Sequence, residues 1–357
     1  MGGIQMTRIA QLQQQMARQA LDGMVVTEQS NVRYLTGFTG EETYLLVTPD
    51  AALLITDSRF VEQAKLQTKT PFMTQTKGLT ATIADLIDRD GLHRIGFEDT
   101  VSYSDYAAMS QHGTWVATTN LVGQIREVKD AGEVALLQKA IDITMLGYEH
   151  VIATIRPGMT EQAVANDLEF FMREQGAEGV AFETIVASGA RGAMPHGAAT
   201  DKIIAVGDVV TLDFGAQYQG YMADITRTFA VGAPDTRLIE AYRIVFAAQQ
   251  AGAKSLAPGV TGQAIDKATR DVIDTAGYGK YFGHGTGHGI GLSIHEGPGA
   301  WRPYKHANQA TGNVETIEPG IYLPGIGGIR IEDDFLITAA GSRQLSPQAP
   351  PELLIIK

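Results

Sequence analysis

The residues of this chain that could do chemistry come in a repeated pattern. Gly207-Asp208-Val209-Val210-Thr211-Leu212-Asp213 recurs further on as Gly312-Asn313-Val314-Glu315-Thr316-Ile317-Glu318, and each copy is followed by a second acid, Asp224 and Glu332 respectively. Between the copies, the tract Gly283-His284-Gly285-Thr286-Gly287-His288-Gly289-Ile290-Gly291-Leu292-Ser293-Ile294-His295 sets three histidines in a glycine frame. A single Asp or Glu at a strand end is usually solvated or ion-paired. Asp213, however, is flanked by Leu212 and Phe214, and a carboxylate in apolar surroundings is costly unless paired or metal-bound. Four such acids together would repel one another, and divalent cations relieve that repulsion. Two related segments, each with a pair of acids and with histidine between them, can assemble two adjacent metal ions.

One histidine and four carboxylates make a hard, oxygen-rich donor set that suits Mn²⁺ first, then Co²⁺ or Fe²⁺, over a thiolate-type structural zinc. Two such ions about 3.5–4 Å apart can share a hydroxide, because metal binding brings the pKa of water from roughly 16 toward about 7. A hydroxide of that kind attacks a carbonyl at neutral pH, so the expected chemistry is hydrolysis. His284 and His288 have the spacing of a helical zinc pair, but glycine at every second position costs about 1 kcal/mol each relative to Ala in a helix. An extended tract instead turns the side chains from His284 to Leu292 one way and leaves the other face bare for close approach of backbone or substrate.

The elements that must position these residues follow from periodicity and turn chemistry. Val209–Phe214 reads as a strand, Gln219-Gly220 as a turn and Ala223–Thr226 as the return. In the second copy, Glu315–Glu318 leads through turns at Pro324-Gly325 and Gly327-Gly328 to Ile329–Glu332. A second repeat precedes the first: Arg156-Pro157-Gly158-Met159-Thr160-Glu161-Gln162-Ala163-Val164 matches Ala257-Pro258-Gly259-Val260-Thr261-Gly262-Gln263-Ala264-Ile265. In both, Pro-Gly ends one helix, Thr160 or Thr261 caps the next, and a glycine, Gly176 or Gly277, stops it. The same helix-then-strand order twice over predicts a pseudo-twofold domain. A long amphipathic helix from about Asp130 toward Thr154 opens it.

The earlier part of the chain alternates helix and strand. Ile9, Leu12 and Met16 form a helical stripe that Ala20 continues until Gly23; Met24-Val25-Val26, Tyr44–Val47, Ala52–Ile55 and Arg94–Phe97 read as strands, with Pro49-Asp50 closing a hairpin. At 357 residues, two domains are expected, divided near Gly123–Arg126: 1–125 a small mixed α/β domain, 126–357 the catalytic one. The fold class is α/β (α+β).

Composition excludes other classes. Cysteine is absent, which removes disulfides, thiolate metal sites and a cysteine nucleophile and suits a reducing cytoplasm. A net charge of −12 without any Lys/Arg cluster argues against nucleic acid. No apolar run approaches the roughly 20 residues of a membrane span. The start does not read as a signal peptide, and Met6 where Ser or Thr is required argues against myristoylation of Gly2.

Five segments, Thr211–Gly215, Ala223–Thr228, Gly287–Gly291, Thr316–Gly320 and Arg330–Asp333, together resemble the ligand segments of the proline-directed metallopeptidases of the pita-bread fold. These are Xaa-Pro aminopeptidase (aminopeptidase P) and Xaa-Pro dipeptidase (prolidase). The likeness spans nearly the whole chain; Asn31–Phe38 is similar to the family's smaller creatinase/prolidase-like N-terminal domain, which argues against methionine aminopeptidase. Asn313 is a mild departure, standing where relatives often carry an apolar residue.

The resemblance implies that Asp213 holds one metal, His288 and Glu318 the other, and that Asp224 and Glu332 bridge. It further implies that Glu318 carries the proton from nucleophile to leaving nitrogen, that His196 lies near the scissile carbonyl and that His295 steadies the tetrahedral intermediate. His284 would line the proline pocket. Arg330 is assigned to substrate binding, with orientation of Glu332 or another acid, or a purely structural ion pair, weighed beside it. Proline-containing peptides are the expected partners, and a homodimer is implied. The leading expectation is an aminopeptidase P-like exopeptidase, on the form of Gly283–His288, with prolidase as runner-up; Arg302 could capture a dipeptide's C-terminal end. Creatinase-like and non-catalytic binding relatives are disfavoured by the five intact ligand positions and the lack of a basic patch.

Overall fold

Capping chemistry places the helices. The Asp130 carboxylate accepts from Glu133 N while the Glu133 side chain reaches back to Asp130 N, a reciprocal box that opens the helix Ala131–Thr154. Thr160 and Thr261 accept from Ala163 N and Ala264 N and so open Glu161–Glu174 and Gly262–Thr275. Gly176 and Gly277 beyond those helices take φ of 101° and 84°, the left-handed region where a Cβ would be strained. The computed structural model describes residues 6–111, 113–301 and 308–357, so Gly2 and Arg302 lie outside the described residues.

The chain forms two compact units, Met1–Arg126 and Glu127–Lys357. In the first, a six-stranded mixed sheet runs in the order Phe72–Thr74, Ala52–Thr56, Tyr44–Val47, Gly23–Val26, Arg94–Glu98, Thr114–Thr118. Tyr44–Val47 and Ala52–Thr56 form the antiparallel hairpin expected around Pro49-Asp50. Val25, Leu46, Ile55, Ile83, Leu86, Ile87, Ile95 and Met109 build its core. The first helix, Arg8–Arg18, buries Leu12 and Met16. Ala20 does not continue the stripe: it is exposed at φ 51°, because the chain has already turned toward the first strand.

The second unit repeats one plan twice. Ile185–Ser188, Val209–Phe214 and Ile225–Val231 pair antiparallel in a sheet that Leu354–Ile356 extends. In the second half Gly287–Gly289, Val314–Ile317 and Asp333–Thr338 pair likewise. Each long pair carries a small hairpin at its open end, Ala216–Tyr218 with Tyr221–Met222 and Gly320–Leu323 with Gly327–Arg330. Two expectations shift. Asp224 precedes the return strand, which begins at Ile225 rather than Ala223. The partner of Val314–Ile317 is Asp333–Thr338, because the stretch Ile329-Arg330 is spent in the hairpin. Both shifts put acids at strand ends, where side chains escape the sheet.

The halves meet along Ile225–Val231. Glu332 N donates to Thr226 O, Arg227 Nη1 to Glu332 O, and Thr228 Oγ1 to Arg330 O. Beneath the seam the buried Arg227 guanidinium pairs with Asp333 Oδ1 at 2.6 Å, and Gln249 and Ser346 also bond to that carboxylate. A buried ion pair is tolerated when its remaining donors and acceptors are met, as they are here.

Candidate metal centre

Asp213 is the penultimate residue of the strand Val209–Phe214, Asp224 precedes Ile225–Val231, His288 lies in Gly287–Gly289, and Glu318 and Glu332 flank the second hairpin. All five face one cavity of about 790 Å³, which His196, His284, His295, Tyr322 and Arg330 also line. Asp224, His288 and Glu332 each offer a ligand atom within 4.8 Å of the others. His288 Nε2 lies 3.4 Å from Asp224 Oδ2 and 3.6 Å from Glu318 Oε1.

Three of the five donors are held in orientation by hydrogen bonds. Arg330 Nη2 donates to Asp213 Oδ2 at 2.6 Å, and Thr226 Oγ1 donates to Glu332 Oε2 at 2.7 Å. The other oxygens, Asp213 Oδ1 and Glu332 Oε1, are buried without a hydrogen-bond partner. His288 Nδ1–H donates to Gly289 O at 3.1 Å, which leaves the Nε2 lone pair facing the acids. Burial and mutual repulsion push the carboxyls of Asp224, Glu318 and Glu332 above their ordinary range. Buried oxygens without partners, a histidine lone pair and acids that repel each other are what a divalent cation satisfies. The residues therefore fit the metal.

Around this cluster the histidines differ. His284 Nδ1–H donates to Gly285 O, so its Nε2 accepts from Tyr322 O–H at 2.8 Å; Arg330 Nη1 in turn donates to that tyrosine oxygen at 2.9 Å. Burial first, then the Arg330 charge, lowers the His284 pKa to about 4 and keeps the ring neutral. His295 sits on the bend after Gly291, its ring centroid 4.3 Å from that of His288, and its pKa is lowered by burial and by His288. His196 stands exposed at the cavity wall. Arg330 is buried and its arms bond to Asp213, Thr226, Tyr322 and Pro195, so the acid it orients directly is Asp213 rather than Glu332.

Sequence reasoning did not single out Tyr322. It lies in the short apolar run Ile321–Leu323, which cannot place a phenol between an arginine and a histidine from distant segments. The cavity walls Phe182, Ile294 and Trp301 were likewise unmarked.

A two-unit α/β chain with duplicated hairpins closing on a hard donor cluster has the architecture of the pita-bread fold. Residues 135–339 match the model of metallopeptidase family M24, and residues 8–128 match the creatinase/prolidase N-terminal domain. The chain belongs to metallopeptidase family M24. Among solved structures it is similar to an Xaa-Pro dipeptidase from Bacillus anthracis, with 43% identity and a TM-score of 0.93 over 98% of this chain and 99% of that one. An X-Pro aminopeptidase from Thermotoga maritima shows 38% identity and a TM-score of 0.90 over 98% and 100%. The Xaa-Pro dipeptidase of Pyrococcus horikoshii is 36% identical over 93% of this chain and 94% of its own length.

Proposed function

We propose that this protein is a metal-dependent Xaa-Pro dipeptidase, a prolidase, that releases proline from Xaa-Pro. The observation that carries the reading is the convergence of Asp213, Asp224, His288, Glu318 and Glu332 on one cavity, in a chain alike end to end to an Xaa-Pro dipeptidase. That likeness exceeds the one to the aminopeptidase and reverses the order the form of Gly283–His288 suggested.

Asp213, Asp224, His288, Glu318 and Glu332 would hold two divalent ions, Mn²⁺ foremost. Bound there, the ions supply Lewis acidity to the scissile carbonyl and an acidified water. Glu318 takes the proton of the attacking water and delivers it to the proline nitrogen, which carries no hydrogen in the Xaa-Pro bond and leaves only when protonated. His295 donates to the carbonyl oxygen as negative charge develops there, and His196 approaches the same carbonyl. Neutral His284 and the aromatic walls Tyr322, Phe182 and Trp301 offer the pyrrolidine ring an apolar, uncharged pocket. A cytoplasmic homodimer completes the reading, and light scattering on Mn²⁺-loaded protein tests the assembly.

The deciding assay compares Xaa-Pro with Xaa-Pro-Yaa-Zaa on Mn²⁺-loaded protein. Efficient hydrolysis of the dipeptide with little of the tetrapeptide is expected. The opposite preference would return the protein to the aminopeptidase class.

A further inference from the structure

Outside the metal cluster, a concentration of buried charge lies where the second unit begins. Lys129 Nζ meets Glu296 Oε1 at 2.7 Å with the two side chains only 1% and 8% exposed. Glu127 and Glu315 face the same ammonium, and their carboxyl pKa values rise with burial while Lys129 opposes the rise. The segment carrying Lys129 is itself fixed: Lys129 N donates to Gly312 O, and Asn313 Nδ2 donates to Glu127 O at 2.8 Å. One turn later, the Tyr221 hydroxyl donates to Glu133 Oε1, tying the same stretch to the hairpin that leads to Asp224.

Glu296 is the residue after His295. Its Oε2 accepts from Ser293 N at 3.3 Å, folding the carboxylate back over the turn that presents His295. Within that turn Gly291 N donates to Ser293 O, and Gly291 O accepts from Met222 N of the first-half hairpin. One carboxylate thus joins a fixed, buried ammonium to the bend on which His295 sits. The arrangement is more than a stability device, because Glu296 and His295 share one backbone unit and both line the cavity.

We propose that the Lys129–Glu296 pair is a positioning device for the reaction: it sets the Gly291–Glu296 bend and, through it, the imidazole of His295 over the substrate carbonyl. The inference rests on the reading of His295 as the group facing that carbonyl. Lys129 and Glu296 touch no reacting atom; they act through His295.

The test uses full-length Mn²⁺-loaded protein with Lys129→Met, Lys129→Arg and Glu296→Gln. Lys129→Met is expected to lower kcat on Xaa-Pro by about 10- to 100-fold, the cost of a misplaced catalytic group, with KM and Mn²⁺ content nearly unchanged. Amide hydrogen exchange should quicken across 290–296 and stay as in wild type across 209–214. Lys129→Arg should restore most of kcat and the protection. Glu296→Gln, which keeps the side-chain size and the Ser293 acceptor, serves if Lys129→Met does not fold, and should show a smaller change in the same segment. A folded Lys129→Met or Glu296→Gln protein with wild-type kcat, or with wild-type exchange at 290–296, would overturn the proposal. Exchange needs no substrate, so the two readings fail separately: wild-type protein inert on every Xaa-Pro peptide sinks the assigned reaction, while unaltered exchange sinks the clamp.

Discussion

Arg330 spends its guanidinium inside the protein, on Asp213, Thr226, Tyr322 and Pro195. A planar fork with fixed donor directions does this; an ammonium does not, so lysine is no conservative replacement. If Arg330 serves the metal by orienting Asp213, Arg330→Lys should weaken Mn²⁺ binding by about 10–100-fold, the usual cost of losing an outer-shell partner. Activity would then fall at limiting Mn²⁺ and recover largely at saturation, as a metal titration of Xaa-Pro hydrolysis would read. A raised KM that excess Mn²⁺ does not correct would instead place Arg330 in substrate binding, the role assigned to it from the sequence. Residues such as this show where sequence reasoning stops. Arg330 announced itself by lying two residues before Glu332, yet the acid it orients is far away in the chain.

At the scale of elements, glycines set the closest approaches near the metal cluster. A Cβ on Gly215 would lie 1.7 Å from Ala223 O, and one on Gly287 would lie 1.9 Å from Thr316 O, both backbone atoms that cannot swing aside. Gly215→Ala is therefore expected to separate Asp213 from Asp224, with a stability loss of about 1–3 kcal/mol or more and reduced Mn²⁺ binding, measured by urea denaturation and metal titration. Wild-type stability together with wild-type affinity would show that the hairpin yields freely. Helix ends were legible in the sequence because caps are local: Asp130, Thr160 and Thr261 act on residues three places on. The strands Phe72–Thr74 and Thr114–Thr118 were not legible: they are the two edges of the sheet, each made by pairing with one neighbour. Around the hairpin Gly320–Leu323 with Gly327–Arg330 the sequence shows turns and a return strand Ile329–Glu332, but not the ribbon itself, since nothing local says that Gly327–Arg330 pairs with Gly320–Leu323. Glu315 was read as a strand residue aligned with Val210, not as an acid facing Lys129, because that encounter is tertiary.

The charge of Glu315 has its own consequence for that strand. Burial pushes its carboxyl from 4.5 up to about 8, against the pull of Lys129 and with Glu127 adding to the rise. A raised folded-state pKa means that folding takes up a proton, so the contribution is full below 4.5 and is lost as pH rises through about 8. Glu315→Gln removes this dependence. The stability difference between wild type and variant, followed by denaturation at matched Mn²⁺, should shift toward the variant by on the order of a few kcal/mol between acid and alkaline pH. A difference independent of pH would mean that Lys129 keeps Glu315 ionised throughout.

For the whole molecule, the proposed metal ligands would couple fold, metal and proton. Without cations, Asp224, Glu318 and Glu332 carry raised carboxyl pKa values, Glu332 up to about 7, through burial and mutual repulsion. Raised values again mean protons held by the folded state, so metal-free protein should lose stability as pH climbs from the ordinary carboxylate range through about 7. Cations bound there would reverse this by taking the place of those protons. Mn²⁺ at a hundred times its dissociation constant adds about 2.7 kcal/mol per site to the folded state, and its affinity should rise with pH until the acids are ionised. Chelation should therefore abolish hydrolysis, lower Tm most at alkaline pH, and be reversed by Mn²⁺. Calorimetry in buffers of different ionisation enthalpy should register protons released on Mn²⁺ binding near neutral pH. Binding without proton release, or a Tm gain from Mn²⁺ that does not grow with pH, would mean that the acids are already ionised in the free protein. The halves that meet along Ile225–Val231 would then be held by the Arg227–Asp333 pair and the apolar core, with the metal contributing to chemistry alone.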